Sequence, residues 1–150
     1  MQRTLFALLL AAAPLAAQGK PPWKAGDRAP ALLGLHIGDT RAKLDAVMGP
    51  PEGTQVLGEG VVALSYRHGT VIVTWARLDG VATIDLKSPD AGDIAGIRVG
   101  GSIDDLVAKW GQPPQGDNNV GLWVFGPWAV VVRADDAGKK IVMLSLGRVA

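Results

Sequence analysis

The sequence predicts an α+β fold of two tandem units, each a short helix packed on a three-stranded antiparallel meander. Three observations carry this. A motif near residue 32 recurs near residue 94, each copy runs into a short capped helical window, and each window is followed by β-rich runs separated by turn residues. The 150 residues are 48% hydrophobic and 19% charged, enough for a true core, and 20 glycines with 10 prolines imply many turns between short elements.

In chain order, residues 1–17 have the pattern of a signal peptide. Arg3 supplies the positive start, residues 5–13 an apolar stretch too short to span a bilayer, and Ala16-Ala17 a small-residue exit. Residues 18–30 are expected to form an extended lead-in. Removing Arg3 with the signal leaves 14 basic against 14 acidic residues, from 15 and 14 in the whole chain, with no run of like charge. A nucleic-acid surface and a polybasic membrane patch are therefore not expected, nor is a membrane span in the mature chain. Cysteine is absent, which excludes disulfide staples, thiol nucleophiles, thiolate metal sites and a lipid-modified N-terminal cysteine.

The first unit is assigned to residues 31–89 and the second to residues 90–150. Leu32-Leu33-Gly34-Leu35-His36-Ile37-Gly38-Asp39-Thr40 aligns with Ile94-Ala95-Gly96-Ile97-Arg98-Val99-Gly100-Gly101-Ser102. The match continues through Leu44 and Leu106, Ala46 and Ala108, Gly49 and Gly111, Pro51 and Pro113. Thr40 and Ser102 stand where N-caps are needed, and Asp105 follows Ser102 in a shortened capping box. Leu44, Val47 and Met48, like Leu106, Val107 and Trp110, fall on one helical face. Gly49 and Gly111 then supply left-handed C-caps, with prolines barring continuation. Strands are predicted at residues 61–67, 70–77 and 81–87, with His68-Gly69 and Asp79-Gly80 as hairpin signals. In the second unit they fall at residues 120–125, 128–133 and 140–146.

The stretches Gly38 to Pro51 and Gly100 to Pro113, each followed by strands, resemble the SmpA/OmlA-type outer-membrane assembly lipoproteins. The doubled arrangement resembles the β-lactamase inhibitor protein fold. The chain departs from the first in lacking an acylated cysteine and from the second in lacking disulfides. The resemblance implies an exported protein-binding scaffold with an unnamed partner.

The chemistry-bearing residues point away from catalysis. His36 and His68 both fall in turns and lack the further ligands a metal requires. Ser65, Ser88, Ser102 and Ser145 lie outside any nucleophile motif. Asp104-Asp105 suits a helix N-terminus, and Asp135-Asp136 suits a hairpin loop. No cofactor is implied. The tryptophans offer a binding surface. On alternation Trp123 shares a face with Gly121 and Phe125, while Leu122 and Val124 share the other, so both faces are apolar. Tyr66, Trp75, Arg77, Trp123, Phe125, Trp128 and Arg133 have the composition of a protein-binding hot spot, or else they fill the core. The expected function is a non-enzymatic, periplasmic or secreted binding or scaffold protein with an unidentified protein partner. The alternatives are an inhibitor of a secreted hydrolase, an enzyme, or a small-ligand binder.

Overall fold

The motif that recurs in the sequence builds the same local device twice in the computed structural model, which describes residues 31–113, 115–117 and 119–149. Leu32 and Leu35 exchange backbone hydrogen bonds of 2.9 Å around Leu33 and Gly34, both left-handed. In the second copy β5 (Asp93–Ile94) pairs with β6 (Ile97–Arg98) around left-handed Ala95 and Gly96. Two left-handed central residues are what a tight two-residue hairpin requires. The segment that follows each hairpin is stitched to a strand. Gly38 N–H donates to the Val81 carbonyl (2.7 Å) and Val81 N–H to that of Asp39 (2.9 Å). Gly100 N–H likewise donates to Ile141 (2.7 Å), and Ile141 N–H to Gly101 (2.9 Å).

The helices start and stop at the residues the sequence marks for it. In α1 (Arg41–Met48) the Thr40 hydroxyl accepts from Lys43 N–H, and in α2 (Ile103–Trp110) the Ser102 hydroxyl accepts from Asp105 N–H. Gly49 (φ 73°) and Gly111 (φ 78°) end them in the left-handed region. Their packing differs. α2 buries Ile103, Leu106 and Trp110, whereas α1 buries only Leu44, leaving Met48 partly buried and Val47 exposed.

The strands overturn the expected architecture. They form one continuous eight-stranded antiparallel sheet, ordered β1-β2-β3-β4-β10-β9-β8-β7, in place of two tandem units of a helix on a three-stranded meander. Its members are β1 (Gly53–Gly58), β2 (Val61–Tyr66), β3 (Val71–Ala76), β4 (Gly80–Leu86), β7 (Gln115–Asp117), β8 (Val120–Phe125), β9 (Trp128–Ala134) and β10 (Ile141–Arg148). The two halves join where β4 meets β10, with Leu86 opposite Leu144 and Ile84 opposite Leu146. All four of these side chains are fully buried. Left as free edges, β4 and β10 would each expose an apolar strand with an unpaired backbone, so pairing them is the stable solution. The other departure is β1 and β7, which the sequence pattern does not signal. β1 reads Gly-Thr-Gln-Val-Leu-Gly, without clear alternation, and five of its six residues are exposed.

Both helices and the pre-helix hairpins cover one face of the sheet. There, cross-strand neighbours Leu64, Val73, Ile84, Leu146, Val130 and Trp123 run as an unbroken row of buried side chains. Among the described residues no helix lies over the opposite face. The signal-peptide and lead-in assignments fall on residues 1–30, which lie outside the described residues.

Candidate functional site

β1 is the outermost strand on one side of the sheet, and among the described residues its outer edge pairs with nothing. It is held to β2 through the register Thr54 to Leu64, Gln55 to Ala63 and Val56 to Val62, with a bulge at Leu57. The Glu52 carboxylate, just before the strand, accepts from the backbone N–H of His68 at 2.9 Å, tying the β2–β3 turn to this end. That turn carries Arg67 and His68 at left-handed φ of 52° and 58°, a conformation non-glycine residues adopt at some cost.

Alternation puts Val56 on the helix face, beside Val62 and then Trp75. Val56 is nonetheless 73% exposed, and the bulged Leu57 54% exposed. Trp75 is half-buried, with the Arg41 guanidinium 5.8 Å from its ring centroid and Arg41 itself bridged to Asp45 at 3.0 Å. Beneath α1, the Trp75 indole nitrogen and the Tyr66 hydroxyl are both buried without a hydrogen-bond partner among the described residues. Burial pushes the Tyr66 hydroxyl above its usual pKa. Arg41 opposes that shift and Asp45 adds to it.

The residues expected to form a hot spot do not share one exposed patch. Tyr66, Trp123, Phe125 and Trp128 are buried in the core, Trp75 is half-buried, and only Arg77 and Arg133 are exposed. Trp110 from α2 meets Trp123 and Phe125 edge-on, at centroid distances of 6.0 and 5.3 Å. The Trp123 indole N–H donates to the Gly111 carbonyl at 3.1 Å, tying the end of α2 to the sheet. Arg133 lies on β9 next to Met143 and Val120, and Arg77 sits in the β3–β4 turn. Phe125 and Trp123 alternate with the more exposed Leu122 and Val124, so β8 is apolar on both sides, as the sequence indicates.

The uncovered face mixes small and polar side chains with branched apolar ones. One cross-strand row reads Gly53, Ser65, Ile72, Asp85, Ser145, Val131 and Leu122. The next reads Gln55, Ala63, Thr74, Thr83, Gly147, Ala129 and Val124. Asp85 and Ser145 meet across the β4–β10 junction, where the serine hydroxyl donates to the carboxylate at 2.5 Å. A depression of about 280 Å³ is lined by Gly53, Thr54, Gln55, Ala63, Ser65, Ile72, Asp85 and Lys87. A larger hollow of about 700 Å³ lies at the end of the junction, bordered by Ile37, Leu78, Val81, Thr83 and Arg148 among others. Val56, Leu57, Asp85 and Lys87 escape sequence reasoning because their significance depends on which strand is outermost and which face is bare. Among the described residues no three His, Asp or Glu side chains gather to hold a metal ion, and no helix is long and apolar enough to cross a membrane.

No protein-family model matches the chain, and no curated protein is similar to it in sequence. Solved structures are similar in fold. An extracellular protein containing a SCP domain from Bacillus anthracis aligns with TM-score 0.62 and 15% identity over 75% of this chain and 44% of that one. A cysteine-rich secretory protein from Staphylococcus aureus aligns with TM-score 0.62 and 11% identity over 83% of this chain and 48% of that one. A DUF4309 family protein from Bacillus subtilis aligns at TM-score 0.49, with 16% identity over 77% of this chain and 83% of that one. This chain spans less than half the length of the first two. Neither family that the sequence resembles is among these three structures.

Proposed function

We infer that this chain is an exported, non-enzymatic protein-binding module that engages its partner along the β1 edge. One observation carries the reading: among the described residues β1 is an outermost strand, it has no charged residue, and it presents Val56 and Leu57 to solvent. Soluble proteins ordinarily protect such an edge with charge, proline or a covering element, so an edge left bare and apolar suits strand addition by another protein. Half-buried Trp75 and Met48 extend the apolar surface toward α1. Export is supported by the signal-like residues 1–17 and by the fold's likeness to parts of two proteins described as extracellular and secretory. In both, the similar part is less than half of the chain, as suits a module working beside other domains.

Site-specific photo-crosslinking tests this in cells exporting the full chain. A photoreactive residue at position 56 should give a discrete protein adduct. One at position 104, on the outer side of α2, should not. Leu57→Lys should abolish the adduct by placing a charge in the interface, while leaving the melting temperature nearly unchanged because the side chain is already exposed. Equal labelling from positions 56 and 104, or an adduct indifferent to Leu57→Lys, sinks the assignment.

A further inference from the structure

We propose that the depression on the uncovered face binds a small zwitterion, an amino acid or dipeptide, with its ammonium on Asp85 and its carboxylate on Lys87. Asp85 on β4 and Lys87 just past its end both line the depression, two positions and about 7 Å apart along the extended chain, with Lys87 N–H held to the Thr70 carbonyl at 2.8 Å. Neither forms an ion pair among the described residues. The Asp85 carboxylate accepts one hydrogen bond, from Ser145, and keeps acceptor sites to spare. A half-buried acid and a neighbouring ammonium that leave each other unpaired form a dipolar receptor, and its complement carries both charges.

The rest of the lining sharpens the ligand class. Gln55 and Ser65 add an amide and a hydroxyl within the same depression, and Ile72 gives it an apolar wall. No aromatic ring lines it, which removes the stacking platform a sugar ring would use. A simple anion would face Asp85 and a simple cation would face Lys87, so each is opposed by one of the two charges. The volume of about 280 Å³ lies at the small end for ligand sites, suited to an amino acid or dipeptide rather than a longer chain.

The backbone also keeps the depression open. Gly53 stands directly opposite Ser65, and a Cβ there would approach the serine Oγ to 2.7 Å. A side chain at position 53 would collide with the hydroxyl or fill the space above it. Because Gln55, Ser65 and Asp85 stand on β1, β2 and β4 of one sheet, with Ile72 of β3 between them, their spacing is set before a ligand arrives.

The test is an amide-resolved NMR titration of the purified protein with glycylglycine, and with ethylamine and propionate as single-charge probes at matched ionic strength. Glycylglycine should give saturable shifts at Gln55, Ser65, Asp85 and Lys87, and neither single-charge probe should saturate there. Lys87→Met and Asp85→Asn should each weaken binding by about tenfold. Absence of saturation by about 50 mM glycylglycine overturns the proposal, since that marks a Kd too weak for a formed site. Equal response to ethylamine or propionate overturns it as well, by showing loose ion attraction alone. If Asp85→Asn loosens the β4–β10 junction, Lys87→Met decides the matter, because its exposed side chain takes part in no ion pair there.

Discussion

Replacing Trp110 with alanine should cost more stability than any other single truncation on either helix. The indole is 3% exposed at the end of α2 and stands edge-on to Trp123 and Phe125. Removing a buried tryptophan to alanine costs about 3–5 kcal/mol through lost burial and the cavity that remains. The two edge-to-face pairs place this site at the upper end, near 4–5 kcal/mol, since each such pair is worth about 0.5–1.5 kcal/mol and partly overlaps the burial figure. For a domain of this size each kcal/mol moves the midpoint by about 4 °C, so the melting temperature should fall by roughly 16–20 °C. Urea unfolding followed by far-UV circular dichroism measures it, with the m-value as control for two-state behaviour. Leu44→Ala on α1 is the internal reference and should lose about 2–3 kcal/mol, at the low end of the range for buried leucines, because the thinly packed helix can settle into the gap. A loss at Trp110 below about 2 kcal/mol, or smaller than that at Leu44, would refute the account of α2 as the better anchored helix.

Two further outcomes follow from the same contrasts. Amide hydrogen exchange should show α1 opening well before α2, because one buried leucine holds α1 whereas three buried side chains hold α2; equal protection would contradict this. Asp135, in the β9–β10 turn, has its carboxyl held below the usual range, first by the backbone N–H of Lys139 and then by that of Lys140. A depressed carboxylate pKa stabilises the fold above the unfolded value and loses that contribution as pH falls through the folded one. Asp135→Asn should therefore flatten the urea midpoint between neutral pH and about pH 3, and an unchanged acid limb would show that the turn is not responsible.

Much of the local structure was legible because it rests on residues with one conformational job. Thr40, Ser102, Gly49 and Gly111 cap the helices as read, and six of the eight strands of the main sheet fall within about two residues of their predicted ranges. The assembly was not legible. That β4 joins β10 depends on two apolar strands finding each other across some sixty residues, as Asp85 and Ser145 do, and no local pattern encodes such a partner. The site was less legible still. Composition singled out aromatic residues, but Trp123 and Phe125 are core because Trp110 lies over them, which only the packing of α2 reveals. Asp85 and Lys87 read as ordinary strand and strand-end residues until one face of the sheet proves to be bare.

Two tryptophans on the helix-covered face of the sheet now separate core from surface. Trp123 is fully buried and its N–H reaches the Gly111 carbonyl, so Trp123→Phe deletes that bond, strands a carbonyl and leaves a gap, costing about 2–3 kcal/mol. Trp75 has a buried N–H with no partner among the described residues, and desolvating such a donor without compensation costs about 1–3 kcal/mol in the native state. Trp75→Phe removes that penalty while giving up part of the ring, and the two effects oppose each other to within about 1 kcal/mol. An indole retained at that cost beside exposed Val56 and Leu57 makes sense if it serves contact with another protein. Trp75→Phe should accordingly leave the urea midpoint nearly unchanged yet weaken the crosslink from position 56. If Trp75→Phe destabilises the protein as much as Trp123→Phe, Trp75 belongs to the core, and the apolar edge loses its aromatic anchor.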